Sequence, residues 1–209
     1  MTVLTKIFKE PTFCEKEILR YAGCSKETEN ITELMHSCIE EVRSYLSYKV
    51  CYCETKLKIS GDICDFGVFS VESRNLAQSF SECCETMIFG ATIGIEIDRL
   101  ISKYGRISPA RALMLQAIGA ERIEALCDAF CRENGYGKRF SPGYGDLGLD
   151  VQKKIFDILD CSKRIGLTLN DSLLMSPSKS VTAFAVKEKA EKNKCNFCKK
   201  ADCTYRGVL

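Results

Sequence analysis

The chain has 209 residues, 45% of them hydrophobic and 28% charged, which is the balance of a folded chain with a sizeable core. Its net charge of +2 gives no reason to expect a nucleic-acid partner, and no apolar run approaches the roughly 20 residues needed to cross a membrane. The N-terminus lacks an apolar stretch of signal-peptide length, so a cytoplasmic location is expected.

In chain order, Glu15 to Ala22 reads as a short helix stopped by Gly23. Residues Ile31, Leu34, Met35, Cys38, Ile39 and Val42 recur at three- and four-residue spacing, which predicts a helix over 30–46 with one buried face. Tyr48 to Ile59 alternates and is rich in valine, tyrosine and threonine, so a strand is expected there, with a second over 63–71. A helix capped by Ser73 should run to Cys84, followed by a strand over 86–94 and a helix from Glu96 to Lys103. Ser108-Pro109 marks a helix start, a capping serine before a first-turn proline, and that helix extends to Glu133. Gly119 lies inside it, and a bend or plain packing is a better explanation than a ligand. Residues 135–148 then read as a loop, 150–164 as a helix closed by Gly166, and 167–175 and 181–186 as short strands.

Fourteen cysteines are the compositional outlier. In a cytosolic chain of this size they point to thiols or metal ligands rather than disulfides. Most, such as Cys38, Cys127 and Cys161, fall in apolar periods and read as core filler. Cys51 and Cys53 share one face of a strand, where packing is again expected. The lone His36 has no adjacent ligand set and belongs on a helix surface or boundary.

The loop Arg139-Phe-Ser-Pro-Gly-Tyr-Gly-Asp-Leu-Gly148 concentrates chemistry that a connector does not need and is expected to contain no regular structure. Arg139 offers a planar fork for a carboxylate or phosphate, and Tyr144 a ring face with a hydroxyl. Gly143 and Gly145 allow close backbone approach, and Pro142 fixes its own φ. About twenty residues on comes Ile165-Gly-x-x-Leu-x-x-Ser-x-x-Met175-x-Pro-x-x-Ser-Val181.

This ordered pair of motifs resembles the activation (S-adenosylmethionine-binding) domain of cobalamin-dependent methionine synthase, and most of all its small stand-alone form. The resemblance is specific over 139–181 and looser back through the helix that carries Glu124. It implies an α+β fold, a twisted antiparallel sheet flanked by helices, spanning residues 1–186. It further implies that Arg139 pairs with the ligand carboxylate, that Glu124 faces the ligand amine, that backbone groups at Ser141, Pro142 and Gly143 hold polar edges, and that Tyr144 packs against the ligand. The implied role is as a component of methionine synthase. The chain would present S-adenosylmethionine for reductive methylation of cobalamin carried by a methionine synthase or another corrinoid protein. An external donor such as a flavodoxin or ferredoxin would supply the electron. Two departures stand out. Gly148 replaces a frequent proline, and the chain lacks the histidine-proline turn and tyrosine pair of the family's long form.

Residues 187–209 form a basic, cysteine-rich tail. Cys195, Cys198 and Cys203 have C-x2-C-x4-C spacing, three thiolates of a tetrahedral set, suited to zinc or an iron–sulfur cluster. The competing reading is therefore a metal- or cluster-binding redox or interaction module that no longer takes S-adenosylmethionine.

Overall fold

A computed structural model describes residues 1–187 except Ser25, Glu27 and Glu82. The tail set Cys195, Cys198 and Cys203 lies outside the described residues. The elements run β1 (Leu4–Ile7), α1 (Glu15–Tyr21), α2 (Glu29–Arg43), β2 (Lys49–Lys56), β3 (Lys58–Ser60), β4 (Ile63–Asp65), β5 (Ser70–Glu72), α3 (Arg74–Ser79), β6 (Glu85–Thr92), α4 (Glu96–Ile107), α5 (Pro109–Glu133), β7 (Lys138–Phe140), α6 (Val151–Leu159), α7 (Cys161–Ile165), β8 (Thr168–Leu169), β9 (Met175–Ser176) and β10 (Ser180–Val186).

The main sheet has the order β1-β2-β6-β10-β7 and every neighbour is antiparallel. Its central strands alternate between two apolar cores, because successive side chains leave a strand on opposite faces. Met87, Phe89 and Ala91 of β6 and Ala183 and Ala185 of β10 join α1, α2, α4 and α5 on one face. Cys51, Cys53, Ile88, Phe184 and Val186 face α3, α6, α7 and the small sheet β3-β4-β5 on the other. The fold is thus α+β with helices on both faces of an antiparallel sheet.

The first core is organised around Phe130 of α5, which is buried and meets the rings of Phe8, Tyr52 and Phe89 at 5.8, 5.0 and 5.3 Å. Aromatic pairs at such offsets add about 0.5–1.5 kcal/mol each beyond the area they bury. The N-terminal arm is pinned to the same helix by charge. Arg122 is wholly buried and donates to the carbonyls of Pro11 (2.5 Å) and Thr12 (2.7 Å) and to the Glu121 carboxylate (2.5 Å), while Glu121 accepts from the Cys14 amide at 3.1 Å.

Several sequence expectations are corrected. The 48–59 stretch divides into β2 and β3, and 63–71 into β4 and the start of β5, with Gly67 at φ 78° making the turn. The helix after Ser73 ends at Ser79, five residues early. The 150–164 helix breaks in two at Asp160, which adopts φ 50°. Ser73 does cap α3, accepting from the Leu76 amide at 3.0 Å. Ser108 sits at the start of α5 but its side chain makes no cap bond, so Pro109 alone marks that end. The cysteine expectation holds, since Cys38, Cys127 and Cys161 are buried, as are Cys51 and Cys53. Gly119 serves packing: a Cβ there would lie 2.9 Å from both the Ile97 side chain and the Lys179 stem. His36 is a surface residue paired with Glu15 at 3.1 Å.

Candidate ligand-binding platform

The motif expected to be free of regular structure opens with a strand. Lys138–Phe140 is β7, the edge strand beyond β10, with Arg139 opposite Ala185 and Phe140 opposite Phe184. Ala185 belongs to the core under α5, so its cross-strand neighbour Arg139 is carried on the α5 side. There the helix presents Glu124 and Asp128, four residues apart and hence on one face. Arg139 Nη2 donates to Glu124 Oε2 at 3.0 Å and to Asp128 Oδ1 at 2.7 Å. The guanidinium is about one-fifth exposed, whereas both carboxylates are nearly half exposed.

Beneath the guanidinium lie two more α5 side chains with the same spacing, Cys127 and Cys131, both buried. Burial pushes the Cys131 thiol up to about 11 and the Cys127 thiol higher still, so both are neutral near pH 7. Lys138, at the other end of β7, is lowered by burial and donates to the Ser79 carbonyl at 2.7 Å.

The loop that follows is held by its own backbone and by α3. The amide of Gly143 donates to the Leu147 carbonyl at 2.9 Å, and those of Tyr144 and Leu147 close turns to Ser141 and Tyr144 at 3.3 and 3.1 Å. Pro142 and Leu147 are buried, fixing both flanks. Asp146 accepts from the Ser73 hydroxyl at 2.5 Å and from the amides of Arg74 and Asn75 at 2.9 and 3.2 Å. The Ser73 bond first, with those two amides, holds its carboxyl below the ordinary range. Tyr144 projects from the turn with 67% of its surface exposed.

The structure therefore brings Glu124 and Arg139 into contact and sets Ser141, Pro142, Gly143 and Tyr144 directly after them on an anchored loop. Asp128 and Asp146 were missed. The first could have been found from its four-residue offset to Glu124, while the second caps a helix some seventy residues earlier and left no local signal. In the second motif Ser178 binds Asp98 through its amide (2.7 Å) and hydroxyl (2.5 Å), and Ser180 binds Thr92 at 2.8 Å, so these serines fasten the segment to α4 and β6. Cavities of about 390 and 610 Å³ lie elsewhere, beside Ile7, Arg43 and Tyr48 and between Phe156, Asp160 and Asn170, and neither takes in Arg139. Among the described residues no cluster of three metal-ligating side chains occurs.

Comparison with known proteins bears on this geometry. Residues 116–203 match the family model described as "Vitamin B12 dependent methionine synthase, activation domain". That span begins within α5 and includes Glu124, Arg139, the loop and the three tail cysteines. A solved structure, "Crystal Structure of the MetH Reactivation Domain bound to AdoHcy", superposes with a TM-score of 0.66 over 93% of this chain and 81% of that one, at 14% identity. The fold is that of a methionine synthase activation domain. No curated protein sequence matches the chain. Within this activation-domain fold the arginine loop leaves an edge strand and α5 supplies the acidic face beside it. No helix among the described residues is long and apolar enough to cross a membrane.

Proposed function

We propose that this chain is a reactivation subunit for a cobalamin-dependent methionine synthase or a related corrinoid methyltransferase. It would present S-adenosylmethionine to cobalamin that has fallen to the cobalt(II) state on the partner. The observation that carries this reading is the 3.0 Å contact between Arg139 and Glu124 beside the Ser141–Tyr144 loop, inside the stretch that matches the family. A guanidinium and a carboxylate side by side are the complement of an amino-acid head group. Both Arg139 bonds to carboxylates leave from Nη2. Among the described residues Nη1 and Nε thus remain to meet a ligand carboxylate without displacing Glu124 or Asp128. The exposed Tyr144 ring offers a face to the sulfonium or the adenine.

In the reaction one electron arrives from a flavodoxin- or ferredoxin-type donor. That electron would reduce the partner's cobalt(II), the partner's cobalamin would then be the acceptor for the methyl group leaving the sulfonium, and S-adenosylhomocysteine would be released. The protein's part is positioning, and no side chain acts as nucleophile. Anaerobic calorimetric titration with S-adenosylmethionine tests the reading. Saturable binding is expected for the wild-type chain, weakened at least tenfold by Arg139→Ala. No binding by the wild-type chain, alone or mixed with a cobalamin-loaded methionine synthase, would sink it.

A second reading, a metal centre in the tail, is favoured by one contact. The Cys83 thiol reaches the carbonyl of Lys187, the last described residue, at 3.7 Å, and Cys84 beside it is exposed. Either could complete a four-thiolate set for zinc or a cluster. Metal analysis of anaerobically purified protein should find metal in the wild type and none in Cys195→Ser/Cys198→Ser. Metal-free wild-type protein would exclude this reading.

A further inference from the structure

We infer that Asp128 sets the charge preference of the Arg139 platform, making it select the sulfonium methyl donor over its neutral thioether product. The inference rests on the ligand assignment above. Two carboxylates contact Arg139 Nη2, at 3.0 and 2.7 Å, and the thiols of Cys127 and Cys131 beside it are neutral. The cluster therefore carries one net negative charge before any ligand arrives.

S-adenosylmethionine carries an ammonium, a carboxylate and a sulfonium, for a net charge of +1. S-adenosylhomocysteine has lost the sulfonium charge and is neutral overall. The head group of either molecule uses one positive and one negative partner, Arg139 and Glu124. That leaves Asp128 as the surplus negative charge of this cluster among the described residues, one that the sulfonium would balance. Because both carboxylates are nearly half exposed, the attraction acts through partly screened surroundings. At separations near 6 Å and an effective dielectric of about 40 it amounts to roughly a tenfold preference. The consequence is directional: the platform loads with methyl donor and loses its hold once the methyl has gone.

Substituting asparagine removes the charge while keeping an oxygen that can accept from Nη2, so Asp128→Asn separates charge from geometry. Wild type, Asp128→Asn and Asp128→Glu are titrated with each of the two ligands, and thermal melts verify that the variants are folded. The expected result is that wild type and Asp128→Glu bind S-adenosylmethionine about tenfold more tightly than S-adenosylhomocysteine. The ratio should fall to between one and three in Asp128→Asn. If the wild-type chain binds both ligands and the ratio is the same in Asp128→Asn, the inference is overturned while the site assignment stands. If the wild-type chain binds neither, alone or mixed with a cobalamin-loaded methionine synthase, the site assignment fails and takes the inference with it.

Discussion

Gly145 passes so close to Asn75 that a Cβ on the glycine would lie 2.3 Å from the Asn75 side-chain Nδ2 and 3.1 Å from its Cβ. Gly145 also holds φ at 59°, in the left-handed region. The loop that follows Arg139 is therefore seated on the start of α3 by backbone approach as well as by the Asp146 bonds. Gly145→Ala must strain the turn and push Asn75 away, at a cost of about 2–3 kcal/mol. Urea denaturation should record that loss, and ligand affinity should fall because the loop can no longer seat.

Asp146 does the work of a helix cap from a distance, and replacing it with alanine should cost about 1 kcal/mol near neutral pH. Its carboxyl is held below the ordinary value in the folded chain, chiefly by the Ser73 hydroxyl. A depressed folded value means that the stabilisation is present above the unfolded value, near pH 4, and disappears as pH falls through the folded one. The difference between wild type and Asp146→Ala in urea midpoint should accordingly be full at pH 6 and shrink steadily below pH 4. A difference that does not change with pH would show that the anionic carboxylate is not what caps α3.

Arg122 and Glu121 form a buried pair, with side chains 0% and 4% exposed. Arg122→Ala leaves the Glu121 charge buried and frees the Pro11 and Thr12 carbonyls, so a loss of about 3–5 kcal/mol is expected. Arg99→Ala removes an exposed partner of Glu96 and should cost no more than about 1 kcal/mol. Thermal melts of the two variants should differ accordingly, and similar melting temperatures would contradict the role given to Arg122.

Thiol chemistry provides a test of the core. Cys14 and Cys84 are exposed, whereas Cys38, Cys51, Cys53, Cys64, Cys127, Cys131 and Cys161 are buried. Burial also pushes the thiols of Cys38, Cys53 and Cys64 up to about 11, which suppresses the reactive thiolate. In native protein, alkylation with mapping by mass spectrometry should modify Cys14 and Cys84 within minutes and leave those seven intact until denaturant is added. Rapid labelling of Cys127 in native protein would refute the packing beneath Arg139.

The sequence was most informative where periodicity was long or a motif dense. Met35, Cys38, Ile39 and Val42 announced α2 because a helix facing one core must repeat its apolar residues at that interval. Arg139 and Glu124 were legible as members of one ligand site only through the resemblance, and their contact with each other was not foreseen, since fifteen positions separate them and no local pattern joins a strand edge to a helix face. Asp160 was unreadable because an aspartate at positive φ looks like any other helix residue, and its break turns one expected helix into two. β1 escaped notice because four residues at a sheet edge, half of them exposed apolar side chains, carry no clean alternation. The short β7 was hidden inside a glycine-rich motif whose punctuation begins only one residue after it.

The alternation of the main sheet between two cores has one more consequence. A Cβ on Gly90 would sit 3.1 Å from the sulfur of Cys161, so that point on the second face is tight even for a methyl group and has no room for a large side chain. Phe89, the next residue along, fills the opposite core. A slip of β6 by a single place would drive a phenyl ring into that tight space and leave a hole where the ring belongs. The strand therefore has one workable alignment with β2 and β10, proofread at every fold by the smallest residue it contains.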